Sequence, residues 1–362
     1  MAILPLCNLL TMIKNSFHGD NHYVPNVYLK TWSSTNKRVW TYRILVSHEK
    51  VPLWKSNSIR GIAYRAHLYT SLVAGKESDE IEKWLDREFE APAEESLQKV
   101  TSDAQLNDRD WQRLALFLAA QDVRTPARLQ ENLRRWTAML PDLIEKTLRE
   151  SVKKLEGARV SGQAIAVPET TPKNYIPFRL TTEFDPGKAT GKLKGETIAG
   201  RGLWLFNIRR LLSKTAHVLT KHRWTILTPP SGIKWFTSDD PVIRLNFHSY
   251  EKYDFKGGWG SKGTEIMLPL SPRHLLYTQV GHRPPRRGTE LPREKAMMIC
   301  RFIAEHAHRM IFAEEQDYTI PILRPRTVSA QLFQDEEKQW QKWHDEQTEA
   351  ERALMGWKEK QD

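Results

Sequence analysis

The spacing of apolar residues changes several times along the chain. Val39-Trp40-Thr41-Tyr42-Arg43-Ile44 alternates and is rich in β-branched and aromatic residues, which predicts a strand. Residues 50–54 read as its antiparallel mate. From Ser78 the spacing becomes helical. Ser78-Asp79-Glu80 supplies a cap and an acidic first turn, and Ile81, Trp84, Leu85 and Phe89 follow on one face. Asn107-Asp108 caps a second helix with Trp111, Leu114, Ala115, Leu118 and Ala119 on its buried face. Pro126 should kink or end that helix. Residues 128–154 repeat the amphipathic pattern, with Pro141 as a second break.

Residues 156–200 are rich in Gly, Thr, Pro and Lys. They read as a mobile basic loop region (Lys188, Lys192, Lys194) holding a short strand at Ala164–Val167. Phe206–Lys221 is a basic amphipathic helix. Short strands follow at residues 224–228, 234–237, 242–245, 264–268 and 275–279, with Pro229-Pro230-Ser231-Gly232 as a strong turn. A helix over 291–307 should cross their sheet, and 310–313 adds a strand. Residues 334–360 form a charged helix whose Trp340, Trp343 and Trp357 dock one face or bind a partner protein. The pattern predicts an α+β protein, a helical half packed with a mostly antiparallel sheet around one shared site. Its divisions are an N-terminal extension (1–20), a mainly helical half with a small β element (21–155), the basic loop region (156–200), sheet plus helices (201–330) and the C-terminal helix (331–362).

Charge narrows the partners. The 362 residues carry a formal net charge of +11, which favours polyanions, nucleic acid first. The bland alternative is a solvated basic protein. Cys7 and Cys300 are isolated, so neither a disulfide framework nor a Cys-rich zinc site is expected, and a reducing cytoplasm is the simplest compartment. No apolar run is long enough for a membrane span. Met1–Ile13 is apolar but lacks the basic start and cleavage site of a signal peptide, and Met12 is an alternative start. No phosphate-cradling glycine loop, dinucleotide fingerprint, zincin helix or serine elbow occurs, which disfavours a nucleotide cofactor and the corresponding enzymes.

The chemistry-bearing residues each have a structural reading beside the functional one. His22 lies in Asn21-His22-Tyr23-Val24-Pro25-Asn26-Val27-Tyr28-Leu29-Lys30, where Pro25 stiffens the backbone. It could be a general base or metal ligand, or a histidine capping a turn. Ser238-Asp239-Asp240-Pro241 sits between strands. Its carboxylates suit Mg²⁺ or Mn²⁺, or simply an Asx turn. Gln121 and Arg124 are one helical turn apart. Arg124 could clamp a phosphate, or pair with Glu82 or Glu90. Those two glutamates could complete a metal site, or lie on a solvated helix face. His306 and His308, two apart, point differently on a helix and read as solvated or capping residues. Arg283-Pro284-Pro285-Arg286-Arg287 is a basic turn that could touch phosphates.

The His22-Tyr23-Val24-Pro25…Tyr28-Leu29 opening resembles a microbial domain-of-unknown-function family, DUF4238. Gln121-Asp122-Val123-Arg124-Thr125-Pro126, Phe236-Thr237-Ser238-Asp239-Asp240-Pro241-Val242 and Leu268-Pro269-Leu270-Ser271-Pro272 fit the same pattern. Asn21 stands where members often carry a second His or a Gln. The resemblance implies a site of His22, Gln121, Arg124 and Asp239, with Glu82 or Glu90 nearby, and favours Asp239 over Asp240. It brings no activity with it. The leading expectation is a metal-dependent nuclease on RNA or DNA, a stress or anti-phage effector. In it Asp239 and a glutamate hold Mg²⁺ or Mn²⁺, His22 activates water and Arg124 stabilises the phosphate. The alternative is a non-catalytic module binding nucleic acid or a protein partner, with the same residues as a structural polar network. An enzyme on a small phosphorylated ligand is a third reading. Carboxylates converging on a cleft would favour an enzyme, and Asp239 buried against backbone amides would favour the module.

Overall fold

A computed structural model of the protein describes residues 19–33, 37–162, 177–185, 187 and 191–356. Almost all of the expected N-terminal extension, with Cys7 and Met12, lies outside these residues, as do the expected strand at 164–167, Lys188 and Trp357.

The fold is α+β, with mostly antiparallel sheets. The larger sheet has six strands in the order Tyr253–Asp254, Ile243–Phe247, Glu265–Ser271, His274–Gln279, Thr225–Thr228 and Thr289–Glu290, and only the last pair is parallel. Ile266 to Ser271 is buried without interruption, so this central strand is covered on both faces. The second sheet interleaves the two ends of the chain, in the order Thr237–Ser238, Met310–Ala313, Arg38–Arg43 and Trp54–Ser58. Two segments expected in the C-terminal sheet therefore complete the N-terminal one. The mate of Arg38–Arg43 also starts later than its apolar run suggests. Trp40 faces Ser56, and the polar Lys55, Ser56 and Asn57 pair because one face of an edge strand needs no apolar cover.

Glu80–Leu85 and Ala91–Thr101 are joined by a π-helical turn, Asp86–Glu90, which carries the chain past Pro92. Asp108–Val123 opens with a capping box, Asn107 accepting from the Asp110 amide and Asp110 returning the bond. Pro126 is the first residue of the next helix, Pro126–Ser161, which Thr125 caps. Pro141 does not break that helix. Beyond Leu129 none of its residues is fully buried, and its exposed surface supplies water to unmet carbonyls. The predicted loop region holds a hairpin, Phe178–Phe184 with Gly191–Thr197. A β-carbon at Gly191 would lie 2.6 Å from the Glu183 carbonyl oxygen, a backbone atom that cannot turn aside, so the hairpin favours glycine there. Helix begins at Arg201, earlier than the apolar spacing indicates.

One continuous apolar core gathers Trp32, Trp204 and Trp235 with residues from both sheets. Trp343 joins it from the C-terminal helix, Ala330–Met355. Arg65 lies over the Trp340 ring at 4.1 Å. Glu351 holds the buried Arg201 at 2.9 Å, and Glu336 holds Arg309 at 2.6 Å. The terminal helix is thus docked on the body. Among the described residues, no helix is long and apolar enough to cross a membrane.

Candidate functional site

The four sequence motifs meet in a buried polar knot. The helix Asp108–Val123 ends at Arg124, Thr125 accepts from the Arg128 amide at 3.3 Å as N-cap, and Pro126 follows at a position that needs no amide donor. Arg-Thr-Pro is therefore the grammar of a helix-to-helix junction. Thr125 Oγ1 also donates to Asp240 Oδ1 at 2.9 Å, which ties the junction to Ser238-Asp239-Asp240-Pro241. Tyr28 shares a hydrogen bond with Thr237 Oγ1 at 2.7 Å and donates to the Pro269 carbonyl. Thr31 donates to the Leu270 carbonyl at 2.6 Å.

Arg124 is fully buried. It pairs with Glu90 and donates to the main-chain carbonyl of His22. Its Nε donates to Tyr69 Oη at 3.3 Å, and Tyr69 Oη donates back to the Arg124 carbonyl at 2.7 Å. Glu82 feels the same guanidinium electrostatically, with no direct ion pair to it among the described residues. Burial pushes its carboxyl up to about 7, against the pull of Arg124 and of a hydrogen bond from the His22 main chain. One Glu82 oxygen has no hydrogen-bond partner. A single cation thus serves two glutamates: it pairs directly with Glu90 and acts on Glu82 at longer range.

The His22 ring stands apart from this cluster. Its Nε2 donates to the Arg60 carbonyl at 3.3 Å and the ring tilts against Tyr64 at 5.6 Å. Burial lowers its pKa, so it is neutral at pH 7. Gln121 is buried, and neither its oxygen nor its nitrogen has a partner. Asp239 is buried too, and its two oxygens accept from the amides of His308 at 2.9 Å and Arg309 at 2.8 Å. Burial raises its carboxyl to about 7 in spite of those amides.

The structure therefore joins Arg124, Glu90, Glu82 and the backbone of His22. It does not join Asp239 to them: among the described residues no hydrogen bond or ion pair links Asp239 with Arg124, Glu82 or Glu90. The expected metal set of Asp239, Glu82 and Glu90 is not assembled. Among those residues the only three metal-ligating side chains in mutual reach are His67, Glu77 and His344. The reason is local: Asp239 faces the start of the strand Met310–Ala313, which its neighbour Ser238 pairs with.

The neighbours of the predicted residues build a second cluster, which opens onto a cleft of about 490 Å³. Asp122 pairs with Arg128 at 3.1 Å and Arg244 at 3.2 Å, and accepts from the Trp259 indole at 2.7 Å. Arg128 also holds Glu131 at 2.8 Å and stands 3.8 Å from Asp240. His306 donates through Nδ1 to the Asp240 carbonyl at 2.9 Å, so its Nε2 accepts from Arg128 at 3.3 Å. That fixes a neutral tautomer, in accord with the lowering of its pKa by burial. Asp122, Arg128, Glu131, Asn132, Arg135 and Arg244 line the cleft. Sequence reasoning weighed Asp240 and His306 but set them second, and it missed Asp122 and Arg128. Asp122 follows Gln121 directly, and Arg128 lies four residues beyond Arg124 across the junction.

These features define an α+β protein in which a signature of four motifs closes a buried polar knot beside an arginine-lined cleft. The chain belongs to the family described as protein of unknown function (DUF4238), whose model matches residues 20–317. No curated protein and no solved structure matches the chain.

Proposed function

We propose that this protein is a non-catalytic nucleic-acid-binding module whose working surface is the cleft walled by Arg128, Arg135 and Arg244. The observation that carries this reading is the use made of the predicted catalytic set. Asp239 accepts from two main-chain amides, and Arg124 is enclosed by Glu90, Tyr69 and the His22 carbonyl. Neither Asp239 nor Arg124 is left to hold a metal or to meet a phosphate. The cleft offers what they do not. Arg135 is exposed, Arg244 is partly exposed, and Asn132 and Asn207 stand beside them as further donors. The net charge of +11 adds long-range attraction for a polyanion.

Fluorescence anisotropy with labelled RNA, single-stranded DNA and duplex DNA tests this, across about 50 to 200 mM salt. Binding should weaken steeply with salt, and no strand should be cut with Mg²⁺, Mn²⁺ or EDTA. Metal-dependent cleavage that is lost in a folded His22→Ala or Asp239→Ala protein would establish the nuclease instead. Absence of binding to all three nucleic acids would sink the module reading as stated here.

A further inference from the structure

Outside both polar clusters, three side chains from separate elements converge. His67 lies in the turn between Tyr64–Ala66 and Ser71–Val73. Glu77 lies in Lys76–Ser78, paired with Leu72 across the hairpin. His344 comes from the C-terminal helix. One ligand atom from each lies within 4.8 Å of the other two. The imidazoles stack with centroids 3.8 Å apart and planes at 22°. His344 Nε2 is 2.7 Å from Glu77 Oε1. His67 and His344 are half-buried and Glu77 is exposed, so the group can be reached from solvent.

We propose that His67, Glu77 and His344 form a binding site for a divalent transition-metal ion, zinc first, that clamps the C-terminal helix to the Ser71–Ser78 hairpin. Two imidazoles and one carboxylate suit zinc and its borderline neighbours, and three protein ligands leave a fourth position for water. Mg²⁺ prefers an all-oxygen shell and should be refused. Stacked rings aim their lone pairs side by side, so each ring must turn slightly to share an ion.

The proton on His344 is accounted for. Arg201 Nη1 donates to His344 Nδ1 at 2.9 Å, which places the ring proton on Nε2, facing Glu77. A metal on Nε2 takes that proton's place, and the neutral ring carries its proton on Nδ1 instead. Arg201 then gives up this one contact. It stays anchored by Glu351 through Nε at 3.2 Å and Nη2 at 2.9 Å, and by Thr348 at 3.1 Å. The ion therefore competes with an existing hydrogen-bonded arrangement. Affinity should be moderate, and occupancy should stiffen the attachment of the helix.

The test is isothermal titration of tag-free, chelator-stripped full-length protein with ZnCl₂ and separately with MgCl₂, alongside Glu77→Gln, His67→Ala and His344→Gln. Melting temperature is read for each with and without zinc. Wild type should bind one zinc per chain and melt higher with it, because a ligand that binds only the folded state stabilises it. Each substitution should weaken zinc binding at least about tenfold, since losing even an outer-shell partner of a metal ligand costs about 10–100-fold. Glu77→Gln sits on an exposed hairpin, so it keeps the test decisive should His344→Gln fail to fold. No saturable zinc binding by wild type up to about 1 mM, or undiminished binding by the folded variants, would overturn the proposal. Neither readout depends on nucleic acid.

Discussion

Arg124 and Arg128 lie four residues apart and have opposite employments. Both are buried, and both pair with carboxylates from distant parts of the chain. Arg124 has no route outward. Its partners are Glu90, whose side chain is 14% exposed, a tyrosine hydroxyl and a main-chain carbonyl. Arg128 ends in a cleft, and one of its partners, Glu131, has a side chain 49% exposed. An anion arriving at Arg128 can displace a mobile glutamate. An anion arriving at Arg124 would have to dismantle the core. Access to exchangeable partners, more than residue type, separates a structural arginine from one that can bind.

The largest expected effect is therefore at Arg124. Arg124→Met removes the cation that Glu90 needs and leaves the His22 carbonyl and Tyr69 short of a donor. Breaking a buried pair by removing one partner costs about 3–5 kcal/mol. A chemical-denaturation midpoint should fall accordingly, with insoluble protein as the extreme result. A midpoint equal to wild type would show that the knot does not hold the fold. Next comes Asp239→Asn. Asparagine can accept from one of the two amides, while its own NH₂ group meets the other donor. Leaving a buried donor unmet costs about 1–3 kcal/mol. If the variant instead kept full stability and lost activity on a nucleic acid, Asp239 would belong to chemistry and the comparison would fail.

The sequence was informative about elements and less so about facing. The helix start at Asn107 and the break at Pro126 were legible because caps and prolines act locally, while the new helix that Pro126 itself opens was not. The destination of Thr237–Ser238 was not, since strand pairing with Met310–Ala313 is a long-range choice between sheets of similar apolar character. The motifs meet in the fold but did not say which neighbour looks outward. Gln121 and Asp122 are adjacent on a helix, about 100° apart in direction. Asp239 and Asp240 are adjacent in the bend that follows the short strand Thr237–Ser238, where neighbouring carboxyls reach different partners. The expected shared site thus divided into a closed half and an open half. Only the partners settle which is which: amides at Asp239, Thr125 and Arg128 at Asp240. The pairing of Arg124 with Glu90 was one of the two readings its sequence position allowed.

A smaller effect sharpens the closed half through pH. Glu82 has its folded-state pKa raised to about 7 by burial, above the ordinary carboxyl value near 4.3. A raised carboxyl contributes stability that is fully present below the unfolded pKa and is lost as pH rises through the folded one. Stability should therefore decline between about pH 4 and pH 7. Glu82→Gln stays neutral throughout and should flatten that decline while matching wild type at the acid end. Asp239, raised to about 7 as well, leaves a residual slope in the variant. His308 acts on the other side, because burial lowers its pKa to about 4 and its stabilising contribution is lost as pH falls from about 6.5. An unchanged slope in Glu82→Gln would mean that Glu82 is ionised beside Arg124 and that the knot holds two carboxylates.

The smallest expected effect on stability, and the most useful for function, belongs to the open half. Arg135 is exposed and donates to Asn132 of its own helix at 2.6 Å. Arg135→Ala should change the denaturation midpoint by no more than about 0.5 kcal/mol, as surface substitutions do. If the cleft meets phosphates, that variant should weaken binding about equally for all sequences and lower the salt slope by about one counterion. Arg244→Ala should do the same with a further stability cost, since Asp122 loses its 3.2 Å partner while keeping Arg128 and Trp259. The two substitutions then separate the roles within a single cleft. An unaltered salt slope in Arg135→Ala, together with tight nucleic-acid binding, would place the binding surface elsewhere on the basic face. The Arg283–Arg287 turn is the next surface to vary: Arg283 and Arg286 are exposed, and Arg287 is tied to the Ala104 carbonyl at 2.8 Å.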